Sequence, residues 1–227
     1  MKVSVVIPAF NEEEAISEVV RDFRATGLVD EVVVVDNNST DRTADLAKAA
    51  GAKVVKEVRQ GYGWALRRGM AETHGDVVVL AEADNTFAPK DITKFLAYID
   101  DVDMVLGTRL THELLEKGAK MNWFLRWGNL FIAKLIQLRF WGRTRLTDVG
   151  CTFRAIRRPA MQRILPKFRV GGNHFSPEMI VVALKNGLRT VEIPVHYRIR
   201  VGQSKITSNK WKAFRLGLRM IRTVLLA

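Results

Sequence analysis

Glu82 and Asp84 stand two residues apart, directly after the apolar run Val77-Val-Val-Leu80. In an extended chain residues at that spacing point the same way, so a strand ending here delivers both carboxylates to one place. Two hard oxygen ligands suit Mg²⁺ or Mn²⁺, whose other positions are commonly filled by water and substrate phosphates. The same triplet also occurs as two solvated loop acids, so its company matters. Asp36 closes a second apolar run, Val32 to Val35. Doubly wound α/β proteins place an acid there against a ribose hydroxyl or a base edge. Its alternative, capping the next helix, can also be met by Ser39, Thr40 or Asp41. Asp148, within Thr147-Asp-Val-Gly-Cys-Thr-Phe-Arg154, is a candidate base for a hydroxyl acceptor, an orienting group beside the acceptor, or a turn cap.

Short apolar runs alternating with helical periodicity must position these groups. Strands are expected at Val3 to Ile7, Val32 to Val35, Lys53 to Lys56, Val77 to Leu80 and Met104 to Leu106, with helices at 41–50, 63–73 and 89–99. Asn11-Glu-Glu-Glu14 reads as a capping box opening a first helix through Ile16, Val19, Val20 and Phe23, which Gly27 ends. Four consecutive valines fit a strand buried on both faces, and the β-α rhythm predicts a parallel sheet covered by helices. Ligands of such a sheet sit at the carboxyl ends of its strands. Those ends carry Pro8-Ala-Phe-Asn-Glu12, Asp36 to Asp41, Glu82-Ala83-Asp84 and Gly107-Thr-Arg109. Glycines 61, 63 and 69 allow close backbone approach to a ligand, but their spacing is not G-x-G-x-x-G, which disfavours a dinucleotide-dependent oxidoreductase.

Past residue 110 the chain becomes basic, aromatic and helical, with a later helix at 177–186 and a strand near Thr190 to Ile193. Residues 1–205 read as one α/β domain, and 206–227 as a basic amphipathic helix with Trp211, Phe214, Leu218, Ile221 and Leu225 on one stripe. That helix suits either an anionic membrane surface or its own domain. In the stretch 121–145, Trp123, Trp127, Phe131, Phe140 and Trp141 alternate with Arg126, Lys134, Arg139, Arg143 and Arg145. These charges interrupt the run too often for a bilayer span but suit a lipid interface rich in phosphates.

The net charge of +12 favours anionic partners, whether nucleic acid, lipid or phosphorylated substrate. No nucleic-acid-binding motif is present, and acids at the sheet edge repel a phosphate backbone. A nucleotidyltransferase would carry a Gly-rich basic signature near the first strand, where this chain has Pro8-Ala-Phe-Asn-Glu12. Cys151 is the sole cysteine, which excludes an internal disulfide and fits a reducing, cytoplasmic setting. The N-terminal run is short and meets three glutamates, so it reads as a strand rather than a signal peptide.

Taken in order, Ile7-Pro-Ala-Phe-Asn-Glu12, the Val-Val-Asp-Asn-Asn-Ser-Thr-Asp segment ending at Asp41, Gly61-Tyr-Gly-Trp-Ala-Leu-Arg-Arg-Gly69 and Glu82-Ala-Asp84 resemble the motifs of inverting family-2 glycosyltransferases. The match continues through Gly107-Thr-Arg109, Thr147-Asp148, Phe153-Arg154 and Gly202-Gln-Ser-Lys205. It is closest to the polyprenyl-phosphate sugar transferases of the dolichyl-phosphate mannose synthase type and covers nearly the whole chain. The resemblance implies a GT-A fold and transfer of a hexose or N-acetylhexosamine from a UDP- or GDP-sugar to a polyprenyl phosphate at the cytoplasmic face of a membrane. By the same resemblance Pro8, Ala9, Asn11, Glu12, Asp36, Asn38, Gly61 and Arg67 bind the nucleotide, and Glu82, Asp84 and Thr86 hold Mg²⁺ or Mn²⁺. Arg109 and Arg126 hold the acceptor phosphate, and Arg198, Arg200 and Lys205 meet the donor phosphates. The chain departs from the family at Glu82, where aspartate is common, and at Thr86, where close relatives often have glutamine. A soluble or glycan hydroxyl remains the alternative acceptor.

Overall fold

The structure, a computed structural model, describes residues 1–119, 123–202 and 210–226; side chains are described for these except 123–125 and 210–214. Strands β1 (Val3–Ala9), β2 (Glu31–Asp36), β3 (Lys53–Lys56), β4 (Val77–Leu80), β5 (Met104–Thr108), β6 (Arg154–Arg157) and β7 (Thr190–Pro194) form one sheet in the order β3-β2-β1-β4-β6-β5-β7. β6 runs antiparallel to β4 and β5, and every other pairing is parallel.

The valine runs explain the layering, because successive strand residues face opposite sides of a sheet. Val6, Val33, Val35, Val78, Leu80 and Leu106 face one core. Val3, Val5, Ile7, Val32, Val34, Val77 and Val79 face the other. The second core is covered by α1 (Ile16–Ala25), α2 (Thr43–Ala49) and α4 (Ile92–Ile99). The first is covered by α3 (Tyr62–Glu72), α6 (Arg158–Ile164), α7 (Phe175–Lys185) and two longer helices, α5 (Trp123–Arg139) and α8 (Lys210–Leu226).

Three expectations are corrected. The sheet is mixed, not wholly parallel. Four residues with arginine at both ends give no strand signal, yet Ala155 and Ile156 are fully buried between β4 and β5. The Asn11–Glu14 capping box does not form: α1 starts at Ile16 with no side-chain cap, and Asn11 adopts a left-handed φ of 51°. Its carboxamide oxygen instead accepts from Thr40 N at 2.8 Å, while Glu12 N donates to Thr43 Oγ1 at 2.8 Å, joining the loop after β1 to the loop after β2. On α8 the buried stripe is Met220 and Val224, with Leu216 and Ile221 partly buried, all packed in the core shared with α5 and α7. Leu218 and Leu225 face solvent, and the side chains of Trp211 and Phe214 lie outside those described.

Gly69 lies where α3 crosses the sheet. A Cβ there would come within 2.3 Å of Val6 Cγ1 and 2.9 Å of Val35 Cγ2, so this glycine serves helix–sheet packing and not approach to a ligand. Gly69→Ala therefore overpacks a core that has no slack. Chemical denaturation should show it destabilised by about 1–3 kcal/mol, and an unchanged midpoint would contradict this packing.

Candidate active site

The carboxyl ends of β1, β2 and β4 surround a cavity of about 370 Å³ lined by Pro8, Ala9, Phe10, Glu12, Asn37, Gln60, Gly61, Tyr62, Ala65, Glu82, Ala83, Asp84, Asn173 and Arg200. That volume is in the range of small-molecule sites. Of the residues singled out by sequence, Pro8, Ala9, Glu12, Gly61, Glu82, Asp84 and Arg200 converge here.

Asp84 is the most fully organised of them. Its Oδ1 accepts from Thr86 N at 3.1 Å and from Thr86 Oγ1 at 2.6 Å. Its Oδ2 lies 2.6 Å from Arg200 Nη1. Asn85, with φ 62°, turns the chain between the two. Thr86 is fully buried and its hydroxyl is committed to Asp84. It therefore orients a carboxylate and does not face the cavity as a metal ligand, which corrects that expectation.

Glu82 reaches the same cavity by another chain of bonds. Its Oε1 accepts from Thr152 Oγ1 at 2.6 Å. A threonine hydroxyl has one proton to give, so the Tyr62 hydroxyl, which also meets Thr152 Oγ1, is the donor in that contact. Burial pushes the Glu82 carboxyl above the usual carboxylate range, and the charge of Asp84 pushes the same way; Thr152, Arg109 and Arg200 oppose the rise. Tyr62 is also held protonated, by burial and then by the charge of Glu82.

Among the described residues no three His, Cys, Asp or Glu side chains gather as a complete metal cage. The residues present fit a divalent ion that is completed by a ligand's phosphates. Two carboxylates share the cavity, and the one with an oxygen facing it already attracts a cation, the Arg200 guanidinium.

Asp148 and Arg109 form a second unit behind the cavity. Arg109 Nε donates to Asp148 Oδ2 at 2.8 Å and Nη2 to Oδ1 at 3.0 Å. Burial alone would raise the Asp148 pKa; the adjacent Arg109 charge and the backbone N–H groups outweigh it and hold the carboxyl below its usual range. A carboxylate so stabilised is a poor base, which corrects the proton-accepting role expected for Asp148 and leaves the orienting one. Arg109, which also sits over the Tyr197 ring, is committed to this pair. The loop carrying Asp148 and Thr152 is fixed by buried Arg154, which donates to Cys151 O, Ser176 O and Val149 O at 2.7–2.8 Å, and by Glu192, whose carboxylate accepts from Thr147 N and Asp148 N. Burial pushes the Cys151 thiol up to about 12, so it takes no part as a nucleophile.

Other expected residues lie around the cavity without lining it. Asp36 Oδ1 accepts from Ser39 N at 3.0 Å and shapes the loop after β2. Asn38 has φ 66° and turns outward, donating to Val58 O and Gln60 Oε1. Its neighbour Asn37 faces inward: its amide donates to Glu57 O and Arg59 O, and its oxygen accepts from Gly61 N. Arg67 packs on Trp64 opposite Arg59. Arg198 reaches Asn85 Oδ1 and Asp22. Arg126 is exposed on α5 and donates to Leu110 O. Lys205 lies outside the described residues.

Asn37, Gln60, Tyr62, Thr152 and Asn173 escaped the sequence reading. Asn37 had a usable signal, since only one of two adjacent asparagines after a strand can face the ligand side. Asn173 had none. It arrives because Gly61 and Gly63 let the backbone at 170–171 touch the start of α3: a Cβ on Gly61 would lie 2.3 Å from Gly171 O, and one on Gly63 2.6 Å from Val170 O.

A mixed sheet with paired acids after β4 and an open cavity at its strand tips defines a nucleotide-sugar transferase fold of the GT-A type. The chain belongs to glycosyl transferase family 2, whose model matches residues 4–165. It is 34% identical over 206 residues to the dolichyl-phosphate hexose transferase of Haloferax volcanii, covering 89% of this chain and 86% of that one. It is 30% identical over 223 residues to a low-salt glycan biosynthesis hexosyltransferase of the same organism, covering 95% of this chain and 52% of that one. Glucosyl-3-phosphoglycerate synthase from Mycobacterium tuberculosis, solved with Mn²⁺, uridine diphosphate and glucosyl-3-phosphoglycerate, superposes with a TM-score of 0.75 at 23% identity, covering 99% of this chain and 78% of that one.

Asp148→Asn tests the buried pair. Loss of the carboxylate leaves Arg109 unpaired, at a cost of about 3–5 kcal/mol at neutral pH. The Asp148 pKa is depressed on folding, so the carboxylate's contribution is full above the unfolded value of about 3.9 and is lost as pH falls through the folded value. Urea unfolding should thus show the gap between wild type and variant narrowing below pH ~4. A gap that widens on acidification would contradict the pairing.

Proposed function

We propose that this glycosyltransferase moves a hexose or N-acetylhexosamine from a UDP- or GDP-sugar to a polyprenyl phosphate, with inversion, at the cytoplasmic surface of a membrane. The observation that carries the donor half is the pair Glu82 and Asp84 in the strand-tip cavity, with Arg200 beside them. Asp84, with Glu82, would hold Mg²⁺ or Mn²⁺. When bound, that ion neutralises the charge developing on the departing nucleoside diphosphate. Pro8, Ala9, Phe10, Asn37, Gln60 and Asn173 shape the part of the cavity left for the nucleoside. Arg200 offers a guanidinium to the same phosphates, a role suited to its planar fork of donors.

Inversion requires the acceptor oxygen to attack the anomeric carbon from the face opposite the leaving group, with charge resembling an oxocarbenium ion. A phosphate oxygen is already anionic and needs no base. That suits a site in which Asp148 is held ionised and paired by Arg109. A hydroxyl acceptor would need a proton acceptor, and Asp148 is poorly placed to be one. The name of the Haloferax volcanii relative, a dolichyl-phosphate hexose transferase, points the same way.

A membrane surface is supported by one face of α5. Trp127, Phe131, Leu138 and Trp141 follow one another at intervals that keep a single stripe, and all are exposed. Leu218, Leu225 and Leu226 of α8 are exposed as well. Ile132, Ala133 and Ile136 fill the opposite face against the core. Phe140 is half-buried, and Arg139 and Arg143 donate to the backbone oxygens of Val224 and Leu184. The lipid-facing set is therefore narrower than the full aromatic and basic list, and the Trp123 side chain lies outside those described. Among the described residues no helix is long and apolar enough to cross a membrane.

With a panel of radiolabelled UDP- and GDP-sugars, a divalent ion and polyprenyl phosphate, label should pass into organic solvent, and Asp84→Asn should reduce this at least about 100-fold, a few kcal/mol of lost transition-state stabilisation. Label confined to water-soluble products would contradict the lipid acceptor. Sedimentation with anionic liposomes should deplete the protein from the supernatant, and replacing Trp127 and Trp141 with serine should restore it. Equal recovery of wild-type protein with and without liposomes would contradict the docking surface.

A further inference from the structure

Arg200 occupies the one oxygen of Asp84 through which a metal ion could be held from the cavity. Asp84 Oδ1 already accepts two hydrogen bonds from Thr86, and Oδ2 is taken by Arg200 Nη1 at 2.6 Å. The other arm of the guanidinium, Nη2, lies 3.2 Å from Glu12 Oε1. Between them, Nε is buried with no hydrogen-bond partner, the sole side-chain nitrogen or oxygen in that state among the described residues. A buried N–H without an acceptor is costly, so this arrangement leaves the guanidinium short of one ligand.

The backbone keeps Arg200 at the site whatever its side chain does. Residues 195–202 run alongside the metal loop, with Arg198 N donating to Thr86 O at 2.8 Å and Val201 N to Asp84 O at 3.0 Å. Phe87 pairs with Tyr197 at one end, and Ile199 N donates to Glu116 Oε2 at 2.7 Å on the other flank. A rotation of the side chain about this anchored backbone carries the guanidinium from Asp84 into the cavity that it lines.

We propose that Arg200 is a displaceable counter-cation: it neutralises Asp84 until a nucleoside diphosphate enters, then exchanges the carboxylate for the phosphates and frees Asp84 Oδ2 for the divalent ion. The inference rests on the metal-dependent reading above and adds an order to it. Metal alone must break a buried ion pair and leave the guanidinium without an anion. Metal and diphosphate together replace each lost contact, including an acceptor for Nε. By linkage, whatever the diphosphate does for metal affinity the metal does for diphosphate affinity.

The test is Mn²⁺ binding to the full chain without nucleotide, followed by the electron paramagnetic resonance signal of free Mn²⁺, for wild type, Arg200→Gln and Arg200→Lys. Arg200→Gln should bind Mn²⁺ alone about tenfold more tightly than wild type, about 1.4 kcal/mol, yet bind uridine or guanosine diphosphate more weakly. Arg200→Lys, which keeps the charge, should stay near wild type for Mn²⁺. A residue of merely structural importance would weaken both ligands together. Equal or weaker Mn²⁺ binding by Arg200→Gln overturns the exchange while leaving metal dependence intact. No Mn²⁺ binding by any form, with or without diphosphate, overturns the metal reading and the exchange with it. In wild-type protein, nitrogen NMR of the arginine Nε–H groups should show one resonance moving when Mg²⁺ and the diphosphate are added together. No movement on demonstrated binding also overturns the proposal, without recourse to a variant.

Discussion

Two carboxylates in a half-buried cavity repel one another, and that repulsion organises much of what surrounds them. Left alone, Glu82 and Asp84 would each raise the other's pKa in a medium that solvates charge poorly. The protein answers with fixed donors and cations. Thr86 takes one oxygen of Asp84, Arg200 the other, and Thr152 hydrogen-bonds Glu82 from the side. Arg109 adds its charge from behind while bound to Asp148. A divalent cation is the natural completion of such a set, and a diphosphate is a natural partner of that cation.

The fold supplies this arrangement through a few close contacts. Parallel strands bring three loops to one edge, and β6 reaches across from the other half of the chain to place Thr152 beside Glu82. Glycine on glycine at 61, 63 and 171 lets the loop before α7 come against α3, which closes the cavity with Asn173. Buried Arg154 ties the Asp148 loop to the backbone at Val149, Cys151 and Ser176. Specificity for the base and the acceptor is therefore governed by loops held on rigid elements.

The parts legible in the sequence were those with a local cause. Valine runs announced strands, Gly27 announced the end of α1, and acids directly after strands announced the ligand edge. What escaped depended on distant partners. The sequence cannot show that Thr86 turns its hydroxyl to Asp84 and away from the cavity, or that Arg109 spends its fork on Asp148. Nor could four residues flanked by arginine declare themselves a central strand, because β6 is stabilised by burial between two neighbours and not by its own propensity. On α8 the helical spacing was right, but the stripe chosen was offset from Leu216, Met220 and Val224, since both stripes are apolar and only the partner helices decide between them.

Diffraction from crystals grown with Mn²⁺ and a nucleoside diphosphate, recorded at a wavelength where manganese scatters anomalously, bears most directly on the central claim. The account predicts an anomalous peak at coordination distance from Asp84 Oδ2, on the side facing the diphosphate, with the Arg200 guanidinium moved onto phosphate oxygens. A peak remote from Asp84, or a bound diphosphate with Arg200 still on that carboxylate and no ion between them, would contradict it.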